Sequence, residues 1–298
     1  MTGLGALIRR NVKLFFHDKG MFFTSLITPL ILLVLYGTFL AGIYRDSFTS
    51  ALPAFFSVEE SLIDATVGGQ LASSLLAVSC VTVAFCSNLL MVQDKVSGAR
   101  RDLTVSPVRR STLAVGYFCA SALTTLIVSV TAYAVCLAYL GRMGWYLSAA
   151  DVLALLLDVV LLTLFGVALS SCVNFFLSTS GQASAVGTIV SAGYGFLCGA
   201  YMPISNFSEG LQKALSFLPG TYGTSLLRNH ALRGVYAELR AAGFPDEAVE
   251  MIRDSIDCNL YFYGEKVSVP AMYLILIAAV AVLTAFYVLL NVLSAKRR

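Results

Sequence analysis

The sequence predicts an all-α integral membrane protein of six transmembrane helices, organised as a single transmembrane domain over residues 1–298. It also predicts an N-terminal amphipathic helix at the interface, a short helix in a cytoplasmic loop, and outer re-entrant helices. Three observations carry this reading. Of 298 residues, 58% are hydrophobic and only 12% charged, whereas soluble domains average about 45–50% and about 25%. Six apolar segments (22–43, 67–92, 112–140, 151–177, 182–202 and 270–293) each reach the roughly 20 residues a helix needs to cross a bilayer core. Among Asp, Glu, Lys and Arg, only Asp151 and Asp158 fall inside those segments. The runs are continuous rather than alternating, which excludes barrel strands. The same figures exclude disorder, and a net charge of +3 gives no footing for a nucleic-acid partner.

Lys and Arg set the expected sidedness. Arg9, Arg10, Lys13 and Lys19 precede the first span. Lys95, Arg100, Arg101, Arg109 and Arg110 lie between the second and third, and Lys296, Arg297 and Arg298 end the sequence. With an even number of spans these residues share one face. The connections 44–66 and 141–150 hold one basic residue each, Arg45 and Arg142. The connection 203–269 holds six basic and eight acidic residues, and long loops cross largely regardless of charge. A multi-pass protein of the cell (plasma) membrane with both termini cytoplasmic is expected.

Residues 1–20 do not read as a cleavable signal, because the apolar run starts late and lacks a small-residue cleavage site. Leu4, Leu7, Ile8, Val12, Phe15 and Phe16 oppose Arg9, Arg10, Lys13 and His17, the pattern of a helix lying on anionic lipid. Pro29 is placed to kink the first span. The second span is rich in small and polar residues, among them Gln70, Ser79 and Asn88. In the fifth, Ala183, Gly187, Ser191, Gly195 and Gly199 recur every four residues, with Tyr194 beside them. Small residues permit close helix approach, so these helices read as a subunit interface or pathway lining, with packing inside the chain as the other reading. Asp158 is the one deep intramembrane acid. Such a charge is costly and must be protonated, paired or wet. The sequence offers it no intramembrane basic partner, and a structural hydrogen bond and a coupling role both stand.

In the loop 94–110, Gly98 breaks the second span's helix, Arg100 to Val105 can form a short cross-helix, and Ser106-Pro107 stops it. Beyond the fifth span, Phe207, Leu211, Leu215 and Leu218 follow helical spacing up to Pro219-Gly220. A second stretch runs over 221–235, and 244–257 reads as an acidic-started amphipathic helix with Pro245 in its first turn. The cysteines form no disulfide framework; Cys198 and Cys258 either pair or stay free. No GxxxxGK[ST] phosphate loop, HExxH or GxSxG motif occurs. His17 and His230 are expected on opposite faces, so neither a metal nor a catalytic site is expected in this chain.

The amphipathic start, the six spans, the D-K-x-x-G…L-x-x-S-P-x-x-R loop at Asp94 to Arg109, and the segment MPISNFSEGLQKALSFLPGTYGTSLLR at Met202 to Arg228 together resemble a membrane-spanning permease subunit of the ATP-binding-cassette type-two exporter family. The resemblance covers nearly the whole length. It implies that Asp94, Lys95, Gly98, Arg100, Arg101, Asp102, Ser106, Pro107 and Arg109 belong to a coupling helix seated in a separate ATPase. It also implies re-entrant helices over 203–235, and pairing of two six-span subunits with their second and fifth helices lining the path. One departure is Ala99-Arg100 after the loop glycine, where the family often has Thr-Leu. The implied partners are two copies of a cytoplasmic ATPase, a second permease subunit, the same or homologous, and membrane lipid. The chain itself is expected to hold no cofactor; ATP and magnesium belong on the partner. The expected function is outward movement of an amphipathic drug, antibiotic, peptide or lipid-like substrate by alternating access. A polysaccharide or lipid-linked glycan exporter of the same family stays open, as does an ion-coupled secondary transporter using Asp158, although no inverted repeat supports the last.

Overall fold

The computed structural model describes residues 2–35, 38–39, 41–42, 45–46, 59–105 and 109–296. Thr2–His17 (α1) meets Lys19–Leu35 (α2) at 73°. Glu60–Val96 (α3), Ala99–Val105 (α4), Arg110–Met143 (α5) and Ala149–Phe176 (α6) follow, then Ser180–Leu197 (α7). After a 3-10 turn at Ile204–Asn206 come Glu209–Leu215 (α8), Pro219–Ala231 (α9), Arg233–Ala241 (α10) and Asp246–Ser255 (α11). A two-stranded hairpin, Tyr261–Phe262 (β1) with Glu265–Lys266 (β2), leads into Val269–Lys296 (α12).

Among the described residues the fold is helical apart from that hairpin and the turns. Four helices there are long and apolar enough to span a bilayer, α3, α5, α6 and α12, or five if the bent α1–α2 pair counts as one. This is fewer than the six segments read from composition, for two local reasons. The segment 22–43 continues past Leu35 through residues 36, 37, 40 and 43, which lie outside the described residues. The segment 182–202 does form a helix, but its glycines, serines and Gln182 leave α7 less apolar than the other spans. Gly199, at φ +74°, then turns the chain.

Helix ends are set by local chemistry. Ser148 and Asp151 form a reciprocal capping box at the start of α6, and Thr179 and Gln182 form another on α7. The centre of the bundle is α3: 89% of its apolar window is buried, against 11% for α12. It packs on α5 and α6, with α2, α7 and α9 around it. Close approach is possible because Gly166 of α6 has no side chain; a Cβ there would stand 3.0 Å from the Cys80 carbonyl oxygen and from the Val81 Cα. Polar groups join the same helices. Asn88 donates to Ser170 and Ser171 (2.8 Å each) and accepts from Ser121 (2.9 Å), while Ser87 and Thr125 stand 2.8 Å apart.

Helices α8 to α11 and the hairpin cap the Glu60 end of α3, opposite α4. Pro219 opens α9 rather than closing the helix before it, as suits a residue lacking an N–H. Phe207, read from spacing as helical, follows the 3-10 turn, and the next helix ends at Leu215. Every residue of α9 from Gly220 to Ala231 is buried, where it packs on α3, α6 and α12. Leu62 and Ala65 of α3 join Leu232, Val235, Tyr236, Leu239, Phe244, Val249 and Ile252 in a separate apolar cluster that seats α10 and α11. Cys198 and Cys258 are both buried free thiols.

Arg228 ties the cap together. It is fully buried, and its guanidinium donates to the carbonyls of Ile256 (2.8 Å) and Gly199, to Ser74 (3.3 Å) and to Asp257 (3.4 Å). Asp257 in turn accepts the backbone N–H groups of Ile204 and Ser205. Burial pushes the Asp257 carboxyl above its ordinary value, against the pull of Arg228. Arg228→Met should cost about 3–5 kcal/mol, because it strands a buried carboxylate. Arg228→Met with Asp257→Asn should recover much of that loss, as read by thermal unfolding in detergent. A second expectation concerns acid. Burial alone would raise the Glu250 carboxyl, but Lys266 (2.9 Å), Asn259 (2.9 Å) and Arg253 (2.7 Å) outweigh it and hold it at about 2. A depressed folded value means that the stabilisation is complete above the unfolded pKa near 4.5 and is lost as pH falls toward 2. Hydrogen exchange over 246–266 should therefore accelerate across that window, and Glu250→Gln should flatten the change.

Candidate functional site

Two places combine exposure with a built framework: the short helix α4 at one end of the bundle, and a groove between α2, α3 and α7.

The loop before α4 is fastened at several points. Gly98 takes φ +85°, a conformation that favours glycine, and so lets the chain leave α3 and start α4 one residue later. Asp94, nearly buried, accepts a forked pair from Arg10 of α1 (2.7 and 3.0 Å) and a third bond from Tyr117 of α5 (2.5 Å). Arg10 was expected to face lipid with Arg9 and Lys13; it turns instead toward Asp94, and Arg9 and Lys13 stay exposed. Lys95 donates to the carbonyls of Asn174 (2.9 Å), Phe175 (2.6 Å) and Leu177 (2.8 Å). Those are carbonyls at the end of α6, which has no further turn to receive them, and a cation there also meets the negative end of the helix dipole. Arg100 reaches Asn291 of α12 at 3.3 Å. Asp94, Lys95 and Arg100 thus face inward and bind the loop to α1, α5, α6 and α12. Arg101, Asp102 and Arg109 remain exposed. Ser106 and Pro107 lie outside the described residues.

The groove has a volume of about 700 Å³ and is lined by Thr24, Ile27, Ile31, Leu32 and Leu35 of α2, Cys86 and Leu89 of α3, and Gly187, Thr188, Ser191 and Phe196 of α7, with Tyr201 beyond. Gly187 has nothing within 4 Å of where a Cβ would stand, so the small-residue stripe opens onto space there. Lower down the stripe closes. Gly195 lies under the Tyr201 ring, which stacks edge-on to Phe196 at 5.0 Å, and Gly199 is buried against Ile204. Gln70, Ser79, Asn88 and Tyr194 do not reach the groove and are buried within the chain. Asn88 is an interhelical clasp, whereas Gln70 Nε2, Ser79 Oγ and the Tyr194 hydroxyl lack a partner among the described residues.

Asp158 is where the sequence reading missed most. A basic partner is present: His230 of α9 places Nδ1 2.6 Å from Oδ2, and Tyr273 of α12 donates to Oδ1 at 2.6 Å. His230 was expected on the outer face and not as a partner of Asp158: re-entrant helices were expected over 203–235, but nothing in the segment shows that α9 packs among α3, α6 and α12. The residues TSLLRNHA carry Arg, Asn and His beside an apolar run, and that concentration of polar groups with no exposed face was the available signal.

A bundle of long apolar helices with an anchored short helix at one end is the frame of a multi-pass membrane protein. The family model described as ABC-2 family transporter protein matches residues 49–287, well over half of the chain, and the chain belongs to that family. Its members are the membrane permeases of ATP-binding-cassette transporters, lack a nucleotide-binding site and pair with ATPase subunits. No individually curated protein matches the sequence.

The Asp158–His230 contact should show as energetic coupling. In a cycle of Asp158→Asn, His230→Gln and the double variant, the losses should fall short of additive by about 1–2 kcal/mol. The readout is unfolding of the full chain in bilayers; additive losses would mean that the two side chains act independently.

Proposed function

We propose that this permease exports an amphipathic drug, antibiotic, peptide or lipid-like substrate by alternating access, powered by ATP and magnesium on a separate cytoplasmic ATPase. The observation that carries this reading is α4: a short helix held to α12 by its own Arg100 and following directly on the end of α3, which Asp94 and Lys95 fix to α1, α5 and α6. A push on an unfastened loop dissipates in the loop. A push on α4 passes through Arg100 to α12 and, through the last turn of α3, by Lys95 to the end of α6 and by Asp94 to α1 and α5. Arg101, Asp102 and Arg109 are exposed on this end and are the side chains proposed to meet the ATPase, and two copies of it would serve two permease subunits, the same or homologous.

The positive-inside rule supports this orientation, with both termini and α4 in the cytoplasm and the α8–α11 cap outside. On this reading α1 is the interfacial helix that its 73° bend suggests, α2 and α7 complete six spans with the four long helices, and α9 is re-entrant. Membrane lipid surrounds the bundle. The groove gives the substrate its class. Its walls are aliphatic with a few hydroxyls, which suits a hydrocarbon-bearing molecule. Among the described residues Phe196 and Tyr201 are its only aromatics, which favours a hydrocarbon-bearing molecule over the stacked platforms that a glycan would use. Asp158 lines no part of it and is closed off by His230 and Tyr273, which supports a structural bond over ion coupling.

Two variants test the two halves. Arg101→Glu with Asp102→Lys should leave membrane insertion intact but reduce substrate-stimulated ATP hydrolysis by the co-purified ATPase at least about tenfold, the effect of losing about 1.4 kcal/mol of contact. Gly187→Leu should fill the groove and lower export while basal ATP hydrolysis persists. Export driven by a proton gradient without ATP would overturn the proposal.

A further inference from the structure

The cap carries an aromatic cluster that its own packing leaves uncovered. Phe217, between α8 and α9, stands 5.3 Å from Phe262 and 6.2 Å from Tyr263 by ring centroids, and the last two are 5.0 Å apart, all edge-on. Phe217 and Tyr263 are 61% and 65% exposed. Large apolar rings that pack on one another yet face outward mark an interaction surface.

We propose that this trio is an interfacial anchor, seated among the headgroups and upper acyl chains of the leaflet that α12 enters from the cap. Three observations choose lipid over another protein as the occupant. First, only Val267 and Ser268 separate the hairpin from α12, so it stays within about 10 Å of the first turn of a membrane span. Phe217 is two residues from Pro219, where α9 begins its descent into the bundle. Both sources of the cluster therefore sit at the depth where chain passes from water to hydrocarbon, the level at which aromatic side chains concentrate. Second, the hairpin is two-sided. Lys266 is paired to Glu250 (2.9 Å) and the Tyr261 hydroxyl donates to Asp254 (3.1 Å), which holds these two groups back on α11, while Phe262 and Tyr263 pack with Phe217 and the exposed Glu265, across from Phe262, suits headgroup level rather than greater depth. Third, the tip is held outward against local preference. Tyr263 takes φ +52° beside Gly264 at +92°, the tight two-residue turn in which a tyrosine is a costly choice and asparagine or glycine is usual. The ring is thereby projected beyond the strands. The anchor fixes the depth of the cap, and with it the depth of α9 and of the His230–Asp158 contact.

The chain has a single tryptophan, Trp145, so Trp145→Phe gives a silent background. In that background, Phe262→Trp or Phe217→Trp is made in the full chain and reconstituted into phosphatidylcholine bilayers with bromine placed either near the carbonyls or at mid-chain. The anchor predicts blue-shifted emission and at least about twofold stronger quenching by the shallow bromine than by aqueous iodide. Ile277→Trp, on the exposed face of α12, should be quenched by the deep bromine and verifies insertion. Quenching of the cap probes by iodide alone would place the cluster in water and overturn the proposal. Protection from both quenchers would place protein over it, a second copy included, and would overturn it equally.

Discussion

The arrangement depends on one buried cation. A guanidinium withdrawn from water is tolerable only where acceptors surround it, because the desolvation penalty otherwise exceeds any local gain. The acceptors of Arg228 come from three separate pieces of chain: Ser74 in α3, Gly199 after α7, and the adjacent Ile256 and Asp257 after α11. The three pieces lie far apart in sequence. Satisfying a single side chain therefore fixes where the fifth apolar segment must turn, how deep α9 must lie and where α11 must end. Asp257, itself at φ +56°, passes the constraint on to the N–H groups of Ile204 and Ser205.

The opposite end of α3 is organised by the same rule with the sign reversed. There a nearly buried carboxylate, Asp94, gathers Arg10 and Tyr117, and the adjacent Lys95 closes the open end of α6. At roughly 1.5 Å per residue α3 is about 55 Å long, more than the hydrocarbon thickness, so its two charged nodes lie near or beyond the two faces. Between them, contact is made by small residues and neutral hydroxyls and amides: Gly166 against the Cys80–Val81 backbone, and Asn88 against Ser121, Ser170 and Ser171. Helices in lipid gain little from burying apolar surface against one another, so this close packing and these bonds define the bundle.

What the sequence made legible follows from how local each signal is. Hydropathy located α3, α5, α6 and α12, since a spanning helix must be apolar along its own length. Gly98 and the break before Ala99 were legible for the same reason, because the turn is a property of one residue. The stripe on α7 was readable as a pattern, but its partner was not: Gly187 meets an open groove, Gly195 meets Tyr201, and spacing alone cannot tell these apart. The charged nodes were misjudged because each joins positions far apart in sequence. Arg10 read as a lipid-facing residue, Asp158 as partnerless and His230 as external; each assignment was reasonable for its own segment and failed on a contact across 84 or 72 positions. The hairpin went unread because YFYGEK lacks the Asn-Gly or Asp-Gly signal that usually marks so short a turn.

Asp158 then bears on how the bundle can move. The carboxylate joins α6 to α9 through His230 and to α12 through Tyr273, deep in a low-dielectric setting. Separating those helices would leave a buried carboxyl without its two hydrogen-bond partners, which is costly in a low-dielectric setting. Together with Arg228 this makes α3, α6, α9 and α12 expensive to part. The α2–α7 side is different: its groove is lined by aliphatic groups and by Gly187, which has open space where a side chain would stand, and sliding there breaks no charged contact among the described residues. On the proposed coupling role of α4, a thrust there would be received by α12 through Arg100 and by α6 through Lys95 in the adjoining last turn of α3, and both α6 and α12 belong to the stiff group. The cheapest response is displacement of that group as one body relative to α2 and α7, which would open or close the groove without exposing either buried charge.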